Sequence, residues 1–75
     1  MTYYTLHYHA CSGEAFILAQ RDGEIVAAAG PLHYEEEHAV TQLTVDPRDH
    51  IGNMDAEERA TSAAWAKTQD WRQLS

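Results

Sequence analysis

The sequence predicts an α+β fold: a small, mainly antiparallel sheet of about four strands in the order β-β-β-β-α, with one C-terminal helix packed on one face. Three observations carry this reading. Asp22-Gly23 joins two apolar runs, the N-terminal segment alternates with period two, and Asp55 opens a helical pattern. The 75 residues make a single domain spanning 1–75, with no repeat or Pro/Gly/Ser linker to divide it. A chain of this size buries only about 60% of the surface its unfolded form exposes, so a thin core and no large catalytic cleft are expected.

Thr2 to His9 reads as the first strand, with Tyr4, Leu6 and Tyr8 on one side and Thr5, His7 and His9 on the other. Glu14 to Ala29 reads as a hairpin, because a type I′ turn needs positive φ at both central residues and Asp-Gly supplies it. Counting back from the turn pairs Arg21 with Glu24, Gln20 with Ile25, Leu18 with Ala27 and Phe16 with Ala29. Phe16, Leu18, Ile25, Ala27 and Ala29 then share one face, and Ile17, Ala19, Val26 and Ala28 the other. Both faces are apolar and both require cover.

Gly30-Pro31 is expected to end the third strand, since proline cannot donate to a ladder. Leu32 to His38, with three consecutive glutamates, reads as a solvated loop or short turn. Val40 to Val45 reads as a fourth strand with Leu43 and Val45 on one face, stopped by Asp46-Pro47, and the stretch from Pro47 to Asn53 as loop. Asp55 as N-cap with Glu58 three residues on forms a capping-box pattern, and the acids suit the helix dipole. Ala56, Ala60, Ala63, Ala64, Lys67, Trp71 and Leu74 fall on one helical stripe, facing the sheet; Trp65 falls opposite, among polar residues.

Twelve acids against five bases leave a formal charge of −7, which repels phosphates and anionic bilayers, so no direct nucleic-acid or membrane partner is expected. Nowhere do about 18 apolar residues run together, and Met1 to Ala10 lacks the basic start and apolar run of a signal peptide. Cys11 is the lone cysteine, which suits a reducing, cytoplasmic setting.

His7, His9 and Cys11 form H-x-H-x-C, which strand alternation points to one face where a zinc or copper ion could be held, with a fourth ligand from His33, Glu35 or His38. The plainer reading is solvent-facing strand histidines beside an ordinary buried thiol, with no metal and no cofactor. Cys11 with His9 lacks any signature of an orienting group or oxyanion hole, and adjacent acids such as Glu35, Glu36 and Glu37 more often solvate a loop than form a tuned pair. No catalysis is expected. Protonating the five histidines would cancel five units of the −7 charge, an opening for a pH-sensitive surface.

The segment from Phe16 to Ala66, a strand, the Asp-Gly turn, the strand Glu24 to Gly30 and then Gln42-Leu43-Thr44-Val45-Asp46-Pro47 leading to a helix, resembles part of the GNAT-type acyltransferase core. In that family the loop after this strand carries an R-x-x-G-x-G/A run whose amides hold the pyrophosphate of acetyl-coenzyme A. Here Arg48 is followed by Asp49, His50, Ile51, Gly52 and Asn53, so both glycine positions differ and Asp49 opposes a phosphate. The chain has about half the usual length of such enzymes, so the resemblance implies a non-catalytic relic of that core.

The leading expectation is a small acidic protein-binding module, an adaptor or inhibitor, docking on a basic protein such as a nucleic-acid-binding protein whose phosphate site it occupies. Glu35, Glu36, Glu37, Asp55, Glu57 and Glu58 supply the charge, and Trp65 the apolar anchor. Ile17, Ala19, Val26 and Ala28 are the residues expected to mediate self-association, giving a homodimer, if one chain cannot cover both sheet faces.

Overall fold

The computed structural model describes residues 1–73 apart from positions 43 and 45. Its elements are β1 (Thr2–His9), β2 (Ala15–Arg21), β3 (Glu24–Leu32), α1 (Tyr34–Thr41), α2 (Pro47–Gly52), α3 (Ala56–Lys67) and β4 (Trp71–Gln73). The strands form one antiparallel sheet in the order β3-β2-β1-β4, so the fold is α+β with a four-stranded sheet. The fourth strand is Trp71–Gln73, where Trp71 pairs with His9, and among the described residues three helices stand where one was expected.

The hairpin turns at Asp22 and Gly23, with φ of 52° and 79°, as the Asp-Gly pair requires. Pairing starts as expected, Arg21 with Glu24 and Gln20 with Ile25, but Ala19 then faces Ala27 and Leu18 faces Ala28. Val26 is an extra residue, a β-bulge, and it shifts every later pair by one. The expected faces are corrected accordingly. Ile17, Ala19, Ala27 and Ala29 form one buried cluster, with Val26 packed against it; Phe16, Leu18 and Ala28 form the other, with Ile25 packed against it.

Strand β3 does not stop at Gly30-Pro31. These two residues together oppose Phe16, between the pairs Ala15–Leu32 and Ile17–Ala29, and form a second bulge. Gly30 sits at φ 151°, and the bulge lets Pro31 ride in the strand at an edge where its missing N–H breaks no ladder bond.

Both sheet faces are covered within the chain. Val40 of α1 and Ile51 of α2 pack on the cluster around Ile17, beside Tyr4 and Leu6. On the opposite face Ala66 of α3 seals Phe16, Leu18 and Ala28, with Trp71 against them. The fully buried Ile17 and Leu18 mark β2 as the middle of this sandwich.

The segment expected to be an acidic loop is the first turn of α1: the Glu36 carboxylate accepts from the His33 N–H at 3.2 Å, and Glu35, Glu36 and Glu37 suit the positive end of the helix dipole. Val40 belongs to this helix and not to a strand, and Leu43 and Val45 lie outside the described residues. The expected loop from Pro47 is α2, with Asp46 as N-cap accepting from the Arg48 N–H at 3.0 Å and proline at the first helical position.

Helix α3 starts as expected, with Asp55 accepting from the Glu58 N–H at 2.8 Å. Its buried face is rotated from the expected stripe. Ala63 and Ala66 are buried, whereas Ala56, Ala60, Ala64 and Lys67 are exposed, Trp71 lies in β4, and Leu74 falls outside the described residues. Ser62 holds the helix against the sheet edge: its Oγ accepts the outward N–H of Ala28 at 3.1 Å and donates to the Arg59 carbonyl at 3.0 Å.

Candidate functional site

Residues of β1, β2, α3 and β4 bring four rings together on the α3 side of the sheet. His9 stacks on Trp65 at 5.7 Å between ring centres and meets Trp71 edge-on at 5.3 Å. Phe16 contacts the same two indoles at 5.3 and 5.2 Å, and the indoles meet edge to face at 5.8 Å. Edge-to-face and offset pairs of this kind add about 0.5–1.5 kcal/mol each beyond the area they bury. Trp71 spends its indole N–H on the Ala66 carbonyl at 3.0 Å, closing the end of α3.

His9 is the polar hub of this cluster. The Ser12 N–H points at Nδ1 at 3.3 Å and the Ser12 hydroxyl lies 2.9 Å from it, so Nδ1 accepts and Nε2 donates to Gln69 Oε1 at 2.7 Å. The Gln69 amide in turn donates to Thr68 Oγ1 at 2.9 Å, and that hydroxyl donates to the Trp65 carbonyl at 2.7 Å. Both ring nitrogens are committed to structural bonds. In this arrangement His9 has no nitrogen to offer a metal, or Cys11 as a base.

The H-x-H-x-C pattern is placed opposite to its plainer reading. His7 is buried at 8% exposure beside the Thr5 hydroxyl, 3.1 Å from Nδ1, whereas Cys11 is exposed in the turn after β1. Burial pushes the His7 pKa down, and a hydrogen bond to Thr5 opposes the shift in part. Among the described residues no three His, Cys, Asp or Glu side chains converge as a metal site, and α1, which carries His38, packs on the opposite sheet face.

Beside the rings an open groove of about 750 Å³ runs between α3 and the outer end of β3. Phe16, Ala28, Gly30 and Pro31 form its floor, and Thr61, Ser62 and Trp65 its helix wall, with Met54, Asp55, Glu57 and Glu58 at the helix start. Trp65 is 41% exposed, an indole half in the cluster and half open to this groove. The N-terminus of a helix carries about half a positive charge, so three carboxylates leave the rim negative by about two and a half units. Among the described residues the ion pairs are Lys67–Glu24 at 2.9 Å and Arg48–Asp46, and neither reaches the rim. Arg59 lines a separate, smaller concavity with Tyr4, Arg21 and Ile51.

The expected partner-binding residues are therefore split. Asp55, Glu57, Glu58 and Trp65 converge on the groove, while Glu35, Glu36 and Glu37 lie on α1, across the sheet. Glu37 accepts from the Tyr8 hydroxyl, which raises the Tyr8 pKa, and Glu36 accepts from the N–H of the N-cap residue His33. Of the residues expected to mediate self-association, Ile17, Ala19 and Ala28 are buried within this chain and Val26 is half-buried. The floor residues Gly30 and Pro31 were missed by reading Gly-Pro only as a strand stop, although a glycine beside a buried aromatic also signals close approach.

Within the stretch that resembles the acyltransferase core, Leu43 and Val45 lie outside the described residues. Val40 and Thr41 are helical, and Arg48 is held by Asp46 through two guanidinium nitrogens, which pulls the Asp46 pKa down to about 2. No protein-family model, curated protein or solved structure matches the chain. Among the described residues no helix is long and apolar enough to cross a membrane.

Proposed function

We propose that this chain is a non-catalytic protein-binding module, an adaptor or inhibitor, that docks a basic protein in the groove between α3 and β3. One observation carries the reading: an apolar floor ending at the half-exposed Trp65 is rimmed by Asp55, Glu57 and Glu58 with no base among the lining residues. Exposed tryptophan beside an apolar pocket has the composition of an interface anchor, and the carboxylates select and steer a cationic partner. A second copy is a poor occupant, because each copy brings a charge of −7 to an already acidic groove. Nucleic-acid-binding proteins remain the leading class of basic partner, and the exposed thiol of Cys11 suits a reducing, cytoplasmic setting.

The test is capture from a cell lysate by the wild type, by Trp65→Ala and by the double variant Glu57→Gln, Glu58→Gln, with captured proteins identified by mass spectrometry. The expected result is a basic protein held by the wild type and lost from both variants. Equal capture by all three would remove the groove from the function.

A further inference from the structure

The groove differs at its two ends, and that polarity specifies its occupant more closely. Glu58, Thr61, Ser62 and Trp65 stand at positions i, i+3, i+4 and i+7, along one face of α3. A helix rises about 1.5 Å per residue, so the acidic end at Glu58 and the aromatic end at Trp65 are about 10 Å apart. A chain in the polyproline II conformation rises about 3.1 Å per residue and returns every third side chain to the same side, so it covers that distance in about three residues. The sheet edge is short of donors at this point: the outward N–H of Ala28 is taken by Ser62 Oγ at 3.1 Å, and Pro31 has no N–H to give. With these two donors gone, side chains carry the contacts better than an added strand would.

We infer that the groove takes a segment of the partner in polyproline II conformation that sets an aromatic or large aliphatic side chain on Phe16 and Trp65 and a lysine or arginine, about three residues away, against Asp55, Glu57 and Glu58. This rests on the docking reading above and adds to it the spacing and the polarity. The apolar end supplies affinity, because the floor of Phe16, Ala28 and Pro31 has little to offer a polar side chain. The acidic end supplies selection. An exposed ion pair contributes at most about 1 kcal/mol, so the cation changes affinity severalfold and not by orders of magnitude.

The experiment uses blocked hexapeptides in which leucine and arginine stand three residues apart, with controls that replace arginine by glutamine, replace it by glutamate, or place it next to the leucine. Binding is followed by amide chemical shifts and by the fluorescence of the two tryptophans in the intact chain. The expected result is saturable binding of the first peptide, about threefold weaker for the glutamine control and weaker again for the glutamate and adjacent-arginine controls. The double variant Glu57→Gln, Glu58→Gln, whose side chains are exposed, should keep the fold and bind the arginine and glutamine peptides alike. Trp65→Ala should abolish the saturable response to every peptide. Equal binding of all four peptides by the wild type would overturn the polarity while leaving docking in the groove intact. A wild type that responds to none of them, yet captures a protein that both variants lose, would overturn the short-segment inference alone.

Discussion

The ring of Phe16 fills the space that a β-carbon on Gly30 would need: the two would meet at 2.6 Å at Cδ2 and 2.9 Å at Cγ. The contact arises because Gly30 and Pro31 bulge opposite Phe16, and because a φ of 151° is open to glycine and strained for other residues. Phe16 is buried and held by both indoles, so its ring cannot swing away cheaply. Gly30→Ala should therefore lower stability by about 2–3 kcal/mol, combining backbone strain with overpacking. Urea denaturation measures this, and the near-ultraviolet dichroism of the two tryptophans should change with it. An unchanged midpoint would place the Phe16 ring elsewhere.

Gln69 ties the end of α3 to β1 through its 2.7 Å bond with His9. Removing it leaves the His9 Nε2–H, in a half-buried position, to find water. Gln69→Ala should cost about 1 kcal/mol, seen as a melting temperature lower by about 4–8 °C in a domain of this size. Trp65 fluorescence should shift as well, because the His9 ring that stacks on it loses one of its two anchors. A melting curve identical to that of the wild type would show that the bond contributes nothing.

His7 makes stability depend on pH in a defined direction. Its folded-state pKa lies below the ordinary 6.5 because burial disfavours the imidazolium. Above pH 6.5 the imidazole is neutral in both states. As pH falls below that value the unfolded chain takes up the proton first, so stability drops until the folded-state pKa is passed. Melting at about pH 7.5 and about pH 5 should show a larger loss for the wild type than for His7→Gln. Equal losses would mean that His7 is protonated as readily in the fold as in the unfolded chain.

Where the sequence carried a two-sided contrast, the fold was legible. The Asp22-Gly23 turn, the alternation of Tyr4 and Leu6 against His7 and His9, and the Asp55 cap all pair a demanding geometry with a residue type that meets it. The register of β3 was hidden because Val26, Ala27, Ala28 and Ala29 are apolar on every side, so slipping by one residue leaves no polar group in the core to betray it. The short helices were signalled but read otherwise: Asp46-Pro47 is an N-cap followed by a favoured first position, and His33 with Glu36 marks the start of α1. β-propensity at Val40 was overridden by its place in the core. At the groove, Asp55, Glu57, Glu58 and Trp65 share one helix and were legible together. Its floor depends on the second bulge and was not.

The glutamates of α1 should prove structural for this groove. Glu36 holds the N–H of the N-cap residue His33 and Glu37 holds the Tyr8 hydroxyl, both across the sheet from Trp65. Replacing Glu35, Glu36 and Glu37 with glutamine should lower the melting temperature by a few degrees, since dipole and cap contributions are each about 0.3–1 kcal/mol. Binding in the groove should change little at physiological salt, where the screening length is about 8 Å. A large loss of partner affinity in a folded triple variant would move the interface to α1.

The two ends of the groove should separate in kinetics. Glu57 and Glu58 are exposed, so they act on an approaching partner through a screened field before contact is made. The double variant Glu57→Gln, Glu58→Gln should therefore slow association and flatten its dependence on salt, with dissociation nearly unchanged. Trp65 acts only after contact, when its remaining 41% exposure is removed. Trp65→Ala should speed dissociation about thirtyfold, the equivalent of about 2 kcal/mol for an aromatic anchor, and leave the association rate within about threefold. Part of that loss could come from the fold, because Trp65 also packs on His9, Phe16 and Trp71. A thermal melt of the variant separates the two contributions, and Trp65→Phe should restore much of the packing and part of the slow dissociation. Surface-immobilised kinetics on the captured partner, at two salt concentrations, measures all of these rates. If the glutamine pair changed dissociation and Trp65→Ala changed association, the roles of the two ends would be reversed, and the carboxylates would lie inside the contact instead of at its rim.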